Sequence, residues 1–356
     1  MQGQWRGTPA GVAIADVQDN WDPMPGWLDT ASYGLPPRAS WEALQMALAD
    51  WRIGRTSWRE WDGCPDRARG VFARLVGVHP DDVSVGAQVS QVLAPVAAGL
   101  PDGARVCVPE VEFTSNLFPW LVHADRGVTV RTVGVNELPA ALADGADVVA
   151  FSLVQSSDGT IAPYQEIVQV ARAVGATVVV DATQACGWLP FDATIADVVV
   201  VGGYKWLMGP RGTAFAYLTP SLRDRMRPLM AGWYAGEDVH SSYYGPPLRL
   251  AATARRFDLS PAWFSWVGAV PALELIESIG IPTIHDHNVA LANRFLTGLG
   301  QPPGDRAIVT VEVPDAARRL ARAGVRAAER AGRVRASFHV YTTAHDVDLA
   351  LDALAG

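Results

Sequence analysis

The stretch VVVVGGYKWLMGPRG, residues 198–212, decides the fold and holds Lys205, the only lysine of the chain. Four valines followed by two glycines are typical of a strand buried on both faces that ends in a tight turn. Arginine fills every other basic position among the 29 Lys and Arg side chains. Arginine replaces lysine as a cation, but it cannot lose its proton and act as an amine nucleophile. The sequence therefore indicates a covalent role for Lys205.

Two other interpretations of this lysine are weaker. Lys205 could be a chance survivor of a bias toward arginine, which would leave it without a role. A Walker phosphate loop is a poor alternative, because that motif has glycine directly before the lysine and here Tyr204 precedes it. The residues around Lys205 in the sequence are therefore needed to distinguish a chance lysine from a functional one.

Outward from this stretch, short apolar runs alternate with helix-like segments. Runs without polar alternation suit strands buried on both faces, and their alternation with helices predicts βαβ units and a mostly parallel sheet. We therefore expect an α/β fold with a seven-stranded sheet. The predicted strands cover residues 83–85, 105–110, 128–133, 147–153, 177–183, 197–203 and 214–218.

The pattern changes from about residue 285 onward. A helix-like segment at 285–300 precedes two apolar runs and a final helix-like segment at 346–356, which predicts a smaller α+β domain. The two runs are predicted strands at 307–313 and 334–343. We expect three parts, listed by residue number: an N-terminal arm at 1–20, a large domain at 21–245, and a linker with the small C-terminal domain at 246–356.

Composition excludes several classes of function. The chain has 356 residues, 49% of them hydrophobic, which is enough for a sizeable core. A net charge of −8 argues against nucleic acid as a partner. Residues 1–20 lack the basic-then-apolar pattern of a signal peptide, and no apolar run approaches membrane-spanning length. Three scattered cysteines favour free thiols in a reducing compartment, so we expect a cytoplasmic protein without a membrane partner.

An acidic residue supports the functional interpretation of Lys205. Asp181 follows three valines in VVVDATQ (178–184), where we expect a buried strand to end. Ligands of open α/β sheets bind at the carboxyl ends of strands. Taken alone, Asp181 is typical of a helix N-cap after a strand. A pyridoxal phosphate site needs a lysine amine for the aldehyde and a carboxylate that keeps the pyridine nitrogen protonated. Together the two residues favour this cofactor.

Eight segments in a fixed order carry a family resemblance. They are LDTASYGLPP (28–37), VGAQVSQ (85–91), EFTSNLFPW (112–120), SLVQSSDG (152–159), VVVDATQ (178–184), GGYKWLMGPRG (202–212), RRFDLSP (255–261) and VRAS (334–337). With them the chain resembles the class V aminotransferases, which include cysteine desulfurases, kynureninases and isopenicillin N epimerases. The resemblance implies the fold-type I architecture of pyridoxal 5'-phosphate enzymes and a homodimer with active sites at its interface.

The resemblance also implies roles around the cofactor ring. Lys205 would bind the cofactor aldehyde covalently and serve as the catalytic base. Asp181 would pair with the pyridine nitrogen, and Gln184 would lie near the ring hydroxyl. Phe113 fills the position of a ring-stacking histidine or phenylalanine in relatives. Ser156 stands where many relatives have an asparagine that contacts the ring hydroxyl.

Other positions match the phosphate site of the family. Gln88 and Val89 open a helix-like run, so their amides can face an anion, although many relatives have two threonines there. Tyr204 matches a tyrosine that bonds the phosphate in kynureninases, while Gly202 replaces a serine common in relatives. Ser260 matches a residue that reaches the phosphate across a dimer interface.

Substrate binding is assigned in the same way. Arg335 matches the arginine that forks onto the substrate α-carboxylate, a geometry suited to guanidinium. Tyr33 should line the substrate entrance. Arg55 and Trp58 lie where relatives bring residues to the neighbouring active site, so we expect both to contact substrate.

The reaction type stays open on the residues alone. Residues 324–335 lack the catalytic cysteine that a cysteine desulfurase carries before its arginine motif, which argues against persulfide chemistry. The overall likeness is to the carbon–sulfur lyases of ergothioneine biosynthesis, which implies β-elimination from an S-substituted cysteine sulfoxide. Kynureninase-like hydrolysis, isopenicillin N epimerase-like or aminotransferase chemistry, and a non-catalytic module that retains the fold are the alternatives.

Two further motif classes yield no site. His285 and His287 form an HxH pair, but no cluster of carboxylates or cysteines supports a metal site, so we expect a solvated helix start and no metal. A GxGxxG fingerprint is absent, which weakens a nicotinamide dehydrogenase interpretation.

Overall fold

A computed structural model describes residues 12–330 and 332–355. Residues 1–11 of the predicted N-terminal arm lie outside the described residues. The strands of the large sheet are β1 Val83–Gly86, β2 Arg105–Pro109, β3 Thr129–Val133, β4 Val148–Ser152, β5 Thr177–Asp181, β6 Val198–Gly202 and β7 Ala214–Leu218. Those of the small sheet are β8 Ile308–Val311, β9 Ala328–Arg330 and β10 Arg333–Ser337.

Helices surround both sheets. The α-helices of the described residues are α1 Ile14–Val17, α2 Arg38–Arg52, α3 Trp58–Val76, α4 Val89–Ala98, α5 Thr114–Leu121, α6 Leu138–Ala143, α7 Tyr164–Val174, α8 Pro220–Arg223, α9 Trp263–Ile279, α10 Ile281–Gly298, α11 Ala316–Arg322 and α12 Ala344–Ala355.

The large sheet confirms the predicted α/β class. Its strand order is β1-β7-β6-β5-β4-β2-β3, with parallel pairing from β3 through β6 and antiparallel pairing on both sides of β7. The register sets Ser152 opposite Asp181, and Asp181 opposite Val200. The carboxyl ends of β4, β5 and β6 therefore meet at one edge of the sheet, which is where open α/β sheets bind ligands.

The valine runs explain why these strands lie in the middle. Val178 and Val180 pack into one buried cluster and Val179 into the other, so successive side chains of β5 cover opposite faces of the sheet. β6 alternates in the same way, with Val199 in the first cluster and Val200 in the second. Each fully buried valine stabilises the fold by roughly 1.5–3 kcal/mol. Any polar substitution in these runs would face a core on one side or the other.

The small sheet has the order β8-β10-β9 and is antiparallel throughout. It agrees with the predicted α+β character, but the predicted strand at 334–343 ends at Ser337. Beyond it, His339 turns inward and donates a hydrogen bond from Nε2 to the carbonyl of Trp206, 2.9 Å away. β9 escaped prediction because it is three residues long and its sequence Ala-Glu-Arg carries no apolar alternation.

Among the helices of residues 12–330 and 332–355, no single one is both long and apolar enough to cross a bilayer. α9 and α10 meet the length and composition only as a pair, and that pair is bent by 86°.

A buried ion pair fastens the segment before α9 to β1. Arg69 of α3 and Asp258 are both buried, and the Nη2–Oδ2 distance is 2.6 Å. Arg69 also donates to the carbonyl of Val83, and Asp258 accepts from the amide of Val85, both in β1. Because every charged atom has a partner, the pair is tolerated inside the protein.

We expect Asp258→Ala to lower the free energy of unfolding by about 3–5 kcal/mol, because it leaves the Arg69 guanidinium buried without its anion. Urea unfolding followed by circular dichroism measures the loss. Asp348→Ala is the control, because it breaks the exposed Arg294–Asp348 pair and should cost no more than about 1 kcal/mol. Equal losses in the two variants would contradict the assigned role of the buried pair.

Candidate active site

A cavity of about 620 Å³ lies at the carboxyl edge of the large sheet. Eight of the residues that the family resemblance assigns to the cofactor line this cavity. These are Lys205, Asp181, Gln184, Phe113, Gln88, Val89, Tyr204 and Ser156. They come from five separate segments of the chain, and the strand order brings them together.

Lys205 lies three residues after β6 and is only 7% exposed. Its Nζ atom lies 5.4 Å from the centroid of the Phe113 ring and 5.6 Å from that of Tyr204. Burial lowers the pKa of the amine to about 8, against the opposing charge of Asp181. The neutral form of Lys205, which a nucleophile or base requires, is therefore an appreciable minority near physiological pH.

Asp181 supplies a carboxylate at the end of β5. The side chain is buried, and its Oδ1 accepts a hydrogen bond from the Thr183 amide at 2.8 Å. Burial raises its pKa, while Thr183 and the charge of Lys205 act in the opposite direction. A cationic ring nitrogen placed in the cavity would favour the ionised form of this carboxyl group.

Glu112 is a site residue that sequence reasoning did not single out. Its buried carboxylate accepts from the Ser152 amide at 2.7 Å, from the Ser152 hydroxyl, and from the Phe113 amide at 3.1 Å. Burial raises its pKa to about 7, with a contribution from the charge of Asp181. Glu112 ties the segment that carries Phe113 to the end of β4. The sequence feature that could have indicated Glu112 is its position as a carboxylate just after the predicted strand at 105–110.

The segment 28–37 packs directly on the lysine loop. The Gly34 amide donates to the carbonyl of Tyr204 at 3.0 Å. A Cβ atom at position 34 would lie 1.9 Å from the carbonyl oxygen of Lys205, so only glycine fits there. Tyr33 is 39% exposed and its ring centroid lies 5.7 Å from that of Tyr204. This placement puts Tyr33 next to a residue that lines the cavity, and its role at a substrate entrance stays a prediction.

Gln184 has both ends of its side chain engaged by protein. Its Oε1 accepts from the indole of Trp206 at 2.7 Å, and its Nε2 donates to the carbonyl of Ala31 at 2.9 Å. Trp206 in turn accepts from His339, whose pKa burial lowers to about 3, so the imidazole is neutral. These bonds fix the backbone immediately after Lys205.

The start of α4 and an arginine that stacks on an aromatic ring both contribute to the cavity wall. Gln88 is the N-cap of α4 and makes no capping bond with its side chain, and Val89 is the first helical residue. Tyr204 carries the guanidinium of Arg211 over its ring at 4.3 Å from the centroid. Arg211 also lines the cavity and was not singled out from sequence. The start of α4 and Arg211 therefore both add positive potential to this cavity.

Arg335 lies in β10, almost completely buried. Its guanidinium donates to the Ser156 carbonyl at 2.5 Å, to the Ser32 hydroxyl at 2.7 Å and to Asp29 at 3.3 Å. Its Nε has no partner among the described residues. Burial lowers its pKa, as does the charge of Arg330. The contact with Ser156 links Arg335 to the cavity wall.

Three of the expected site residues lie away from this cavity of their own chain. Arg55 forms an exposed ion pair with Asp50 at 2.5 Å, and Trp58 stacks on Trp263 with the ring centroids 5.8 Å apart. Ser260 is exposed. Their expected roles require a second subunit, so those roles stay predictions.

The histidine pair differs from the expected solvated helix start. His285 and His287 lie inside α10, where His285 stacks on Trp188 at 5.9 Å and the Nε2 atom of His287 donates to the Thr342 carbonyl at 3.0 Å. Both rings are partly buried because α10 begins four residues earlier than predicted, at Ile281. Among residues 12–330 and 332–355, no three metal-ligating side chains are grouped.

The residues of the cavity fit pyridoxal 5'-phosphate. A buried amine and a buried carboxylate face one space, an aromatic ring lies beside the amine, and a helix begins at the wall. These groups match an aldehyde, a cationic ring nitrogen, a flat heterocycle and an anionic phosphate. An apolar substrate would leave the amine and the carboxylate buried without compensation.

Sequence comparison identifies the family. The family model described as "Aminotransferase class-V" matches residues 68–321. An uncharacterized aminotransferase, YcbU, of Bacillus subtilis is 28% identical over 84% of this chain and 85% of its own length. A probable cysteine desulfurase of Methanothermobacter thermautotrophicus is 29% identical over 81% and 83%. The isopenicillin N epimerase of Streptomyces clavuligerus is 28% identical over 85% and 83%.

Solved structures share the fold. The cysteine desulfurase from Thermococcus onnurineus superposes with a TM-score of 0.82 at 23% identity, covering 96% of this chain and 97% of that one. The cystine C-S lyase C-DES also gives a TM-score of 0.82, at 21% identity over 93% and 97%. The predicted fold-type I architecture is therefore confirmed.

We expect the Lys205 amine of the apoprotein to react with a half-maximum near pH 8, because burial disfavours its charged form. Pulsed reductive methylation, with mass spectrometry of the peptide that contains Lys205, gives the pH profile. In Asp181→Asn the midpoint should move lower, because the carboxylate that stabilises the ammonium form is gone. A midpoint near 10.5, the ordinary value for lysine, in both proteins would contradict this electrostatic account.

Proposed function

The chain belongs to the class V aminotransferase family, and from that premise we propose that it is a carbon–sulfur lyase using pyridoxal 5'-phosphate. The proposed substrate is an S-substituted cysteine sulfoxide, specifically hercynylcysteine sulfoxide in ergothioneine biosynthesis. The Cα–H and Cβ–S bonds break, and sulfur leaves with the bonding electron pair as a sulfenic acid product. One water converts the remaining three-carbon unit into pyruvate and ammonia.

The observation that carries the proposal is a lysine–carboxylate cavity without a reactive cysteine in its wall. The chain has three cysteines, and none of them lines the cavity. Cys107 and Cys186 are buried, and burial raises the pKa of both thiols, that of Cys186 to about 12. Cys64 is partly buried and its thiol pKa is also raised by burial. A thiol that stays protonated cannot take up sulfur as a persulfide.

Each residue has a defined task in this scheme. When bound, pyridoxal phosphate delocalises the electron pair left at Cα. Lys205 takes the Cα proton on Nζ, for which its lowered pKa is suited. Asp181 would keep the ring nitrogen protonated by its negative charge, and Phe113 would lie against the ring. Arg335 would orient the substrate carboxylate once its guanidinium exchanges Asp29 and Ser32 for the substrate oxygens.

A second copy of the chain would complete the site. We propose that Ser260 reaches the phosphate, and that Arg55 and Trp58 contact substrate, from the neighbouring subunit. An exposed apolar groove beside the cavity supports this arrangement, since Thr114 and Ser115 line both. Phe118, Val122 and Leu229 line this groove and are 56%, 70% and 56% exposed. Patches of this kind are typical of subunit contacts.

Epimerase chemistry is the second candidate, favoured by the 28% identity to the isopenicillin N epimerase of Streptomyces clavuligerus. Racemisation also begins with removal of the Cα proton by a lysine amine, so Lys205 and Asp181 would serve both reactions. Kynureninase-like hydrolysis and transamination are further alternatives that use the same pair. The fate of the β-substituent separates them.

We expect the holoenzyme to release pyruvate and ammonia from S-substituted cysteine sulfoxides, because no cysteine is available to accept the sulfur. Lactate dehydrogenase coupling measures pyruvate across a panel of hercynylcysteine sulfoxide, S-methylcysteine sulfoxide, cysteine and kynurenine. Lys205→Ala should reduce the rate by at least about 100-fold, since it removes the proton acceptor. Anthranilate from kynurenine, or a change of chirality without cleavage, would replace the lyase proposal by one of its alternatives.

A further inference from the structure

Arg211 is a cavity residue that the reaction scheme leaves without a task. It follows the lysine loop in the segment GPRG at 209–212. Its guanidinium lies over the ring of Tyr204, with Cζ 4.3 Å from the centroid. Within residues 12–330 and 332–355 its side chain makes neither an ion pair nor a hydrogen bond, although many arginines of this chain pair with acids. Arg211 is exposed, so its guanidinium is available to an anion that enters the cavity.

The wall around Arg211 carries an excess of positive charge. Lys205 is buried and lines the same cavity, and α4 begins there at Val89 with an N-cap side chain that makes no bond. The positive end of the helix dipole adds to these two cations. Asp181 is the only acidic side chain among the cavity-lining residues. This excess of positive charge in the cavity wall favours a ligand with a strongly anionic group.

The backbone at Arg211 is held in place. The Ser265 hydroxyl of α9 donates to the Arg211 carbonyl at 2.8 Å. Gly212 follows with a φ of +93°, and a Cβ atom there would lie 2.9 Å from the same hydroxyl. The guanidinium is thus presented from a fixed turn and not from a mobile loop, which lowers the entropy lost on binding an anion.

We propose that Arg211 binds the phosphate of pyridoxal 5'-phosphate and makes this chain discriminate between the cofactor and pyridoxal, which lacks the phosphate. The inference rests on the proposed cofactor and adds a residue to its site. A phosphate dianion accepts charge-assisted hydrogen bonds from guanidinium, which fits its geometry. Gly202 has no hydroxyl to offer, and Arg211 supplies a charged donor in the wall of the same cavity.

The test compares the dissociation constants of pyridoxal 5'-phosphate and pyridoxal for the apoprotein, followed by the absorbance of the bound chromophore. In Arg211→Met the constant for the phosphorylated form should rise about ten- to a hundredfold, as expected for losing a charged hydrogen bond. The constant for pyridoxal should change less than about twofold. The dissociation constant of Arg211→Lys for pyridoxal 5'-phosphate should lie between those of the wild type and Arg211→Met. Lysine keeps the positive charge but lacks the two parallel N–H donors of a guanidinium. Arg322→Met, an exposed site on α11, is the control and should leave both constants unchanged.

Two results would overturn the inference while leaving the proposed function intact. One is an equal weakening of both ligands in Arg211→Met, which would mean that Arg211 only supports the fold of the loop. The other is an unchanged constant for the phosphorylated form. Failure of the wild-type apoprotein to bind either aldehyde would instead remove the proposed function, and the inference with it.

Discussion

The structure depends on holding one amine and one carboxylate out of water at the ends of two adjacent strands. Burial lowers the pKa of Lys205 and raises that of Asp181, so it acts against charge on both groups. Their mutual attraction opposes this effect and retains part of the charge. An amine whose neutral form is accessible near physiological pH, beside a carboxylate that a ring nitrogen would keep ionised, is the combination that cofactor chemistry at a lysine requires.

Several contacts from distant segments hold this arrangement. Gly34 lets one segment approach the lysine backbone, and His339, in the segment after β10, binds the carbonyl of Trp206. Glu112 anchors the Phe113 segment to β4. The first two contacts hold the lysine loop itself, and the third holds the aromatic ring beside the amine. Because β10 carries Arg335 and leads directly to His339, its position affects both the lysine loop and the expected carboxylate contact.

Much of the fold could be predicted because its central strands are apolar on both faces. The short apolar runs predicted the seven strands of the large sheet, with β7 matching at both ends. The end of the predicted strand at 177–183 indicated that Asp181 lies near the lysine loop. Glu112, Arg211 and His339 could not be assigned, because their roles come from contacts between residues far apart in sequence. β9 and the early end of β10 were missed because short polar strands and inward turns leave no periodic pattern.

The most direct test of the account is the covalent bond between Lys205 and the cofactor aldehyde. The protein is incubated with pyridoxal 5'-phosphate, reduced with borohydride, digested and analysed by mass spectrometry. The account predicts a yellow protein before reduction and a reduced pyridoxyl group at position 205, absent from Lys205→Ala. A colourless protein, or a reduced sample in which the peptide containing Lys205 is unmodified, would contradict it.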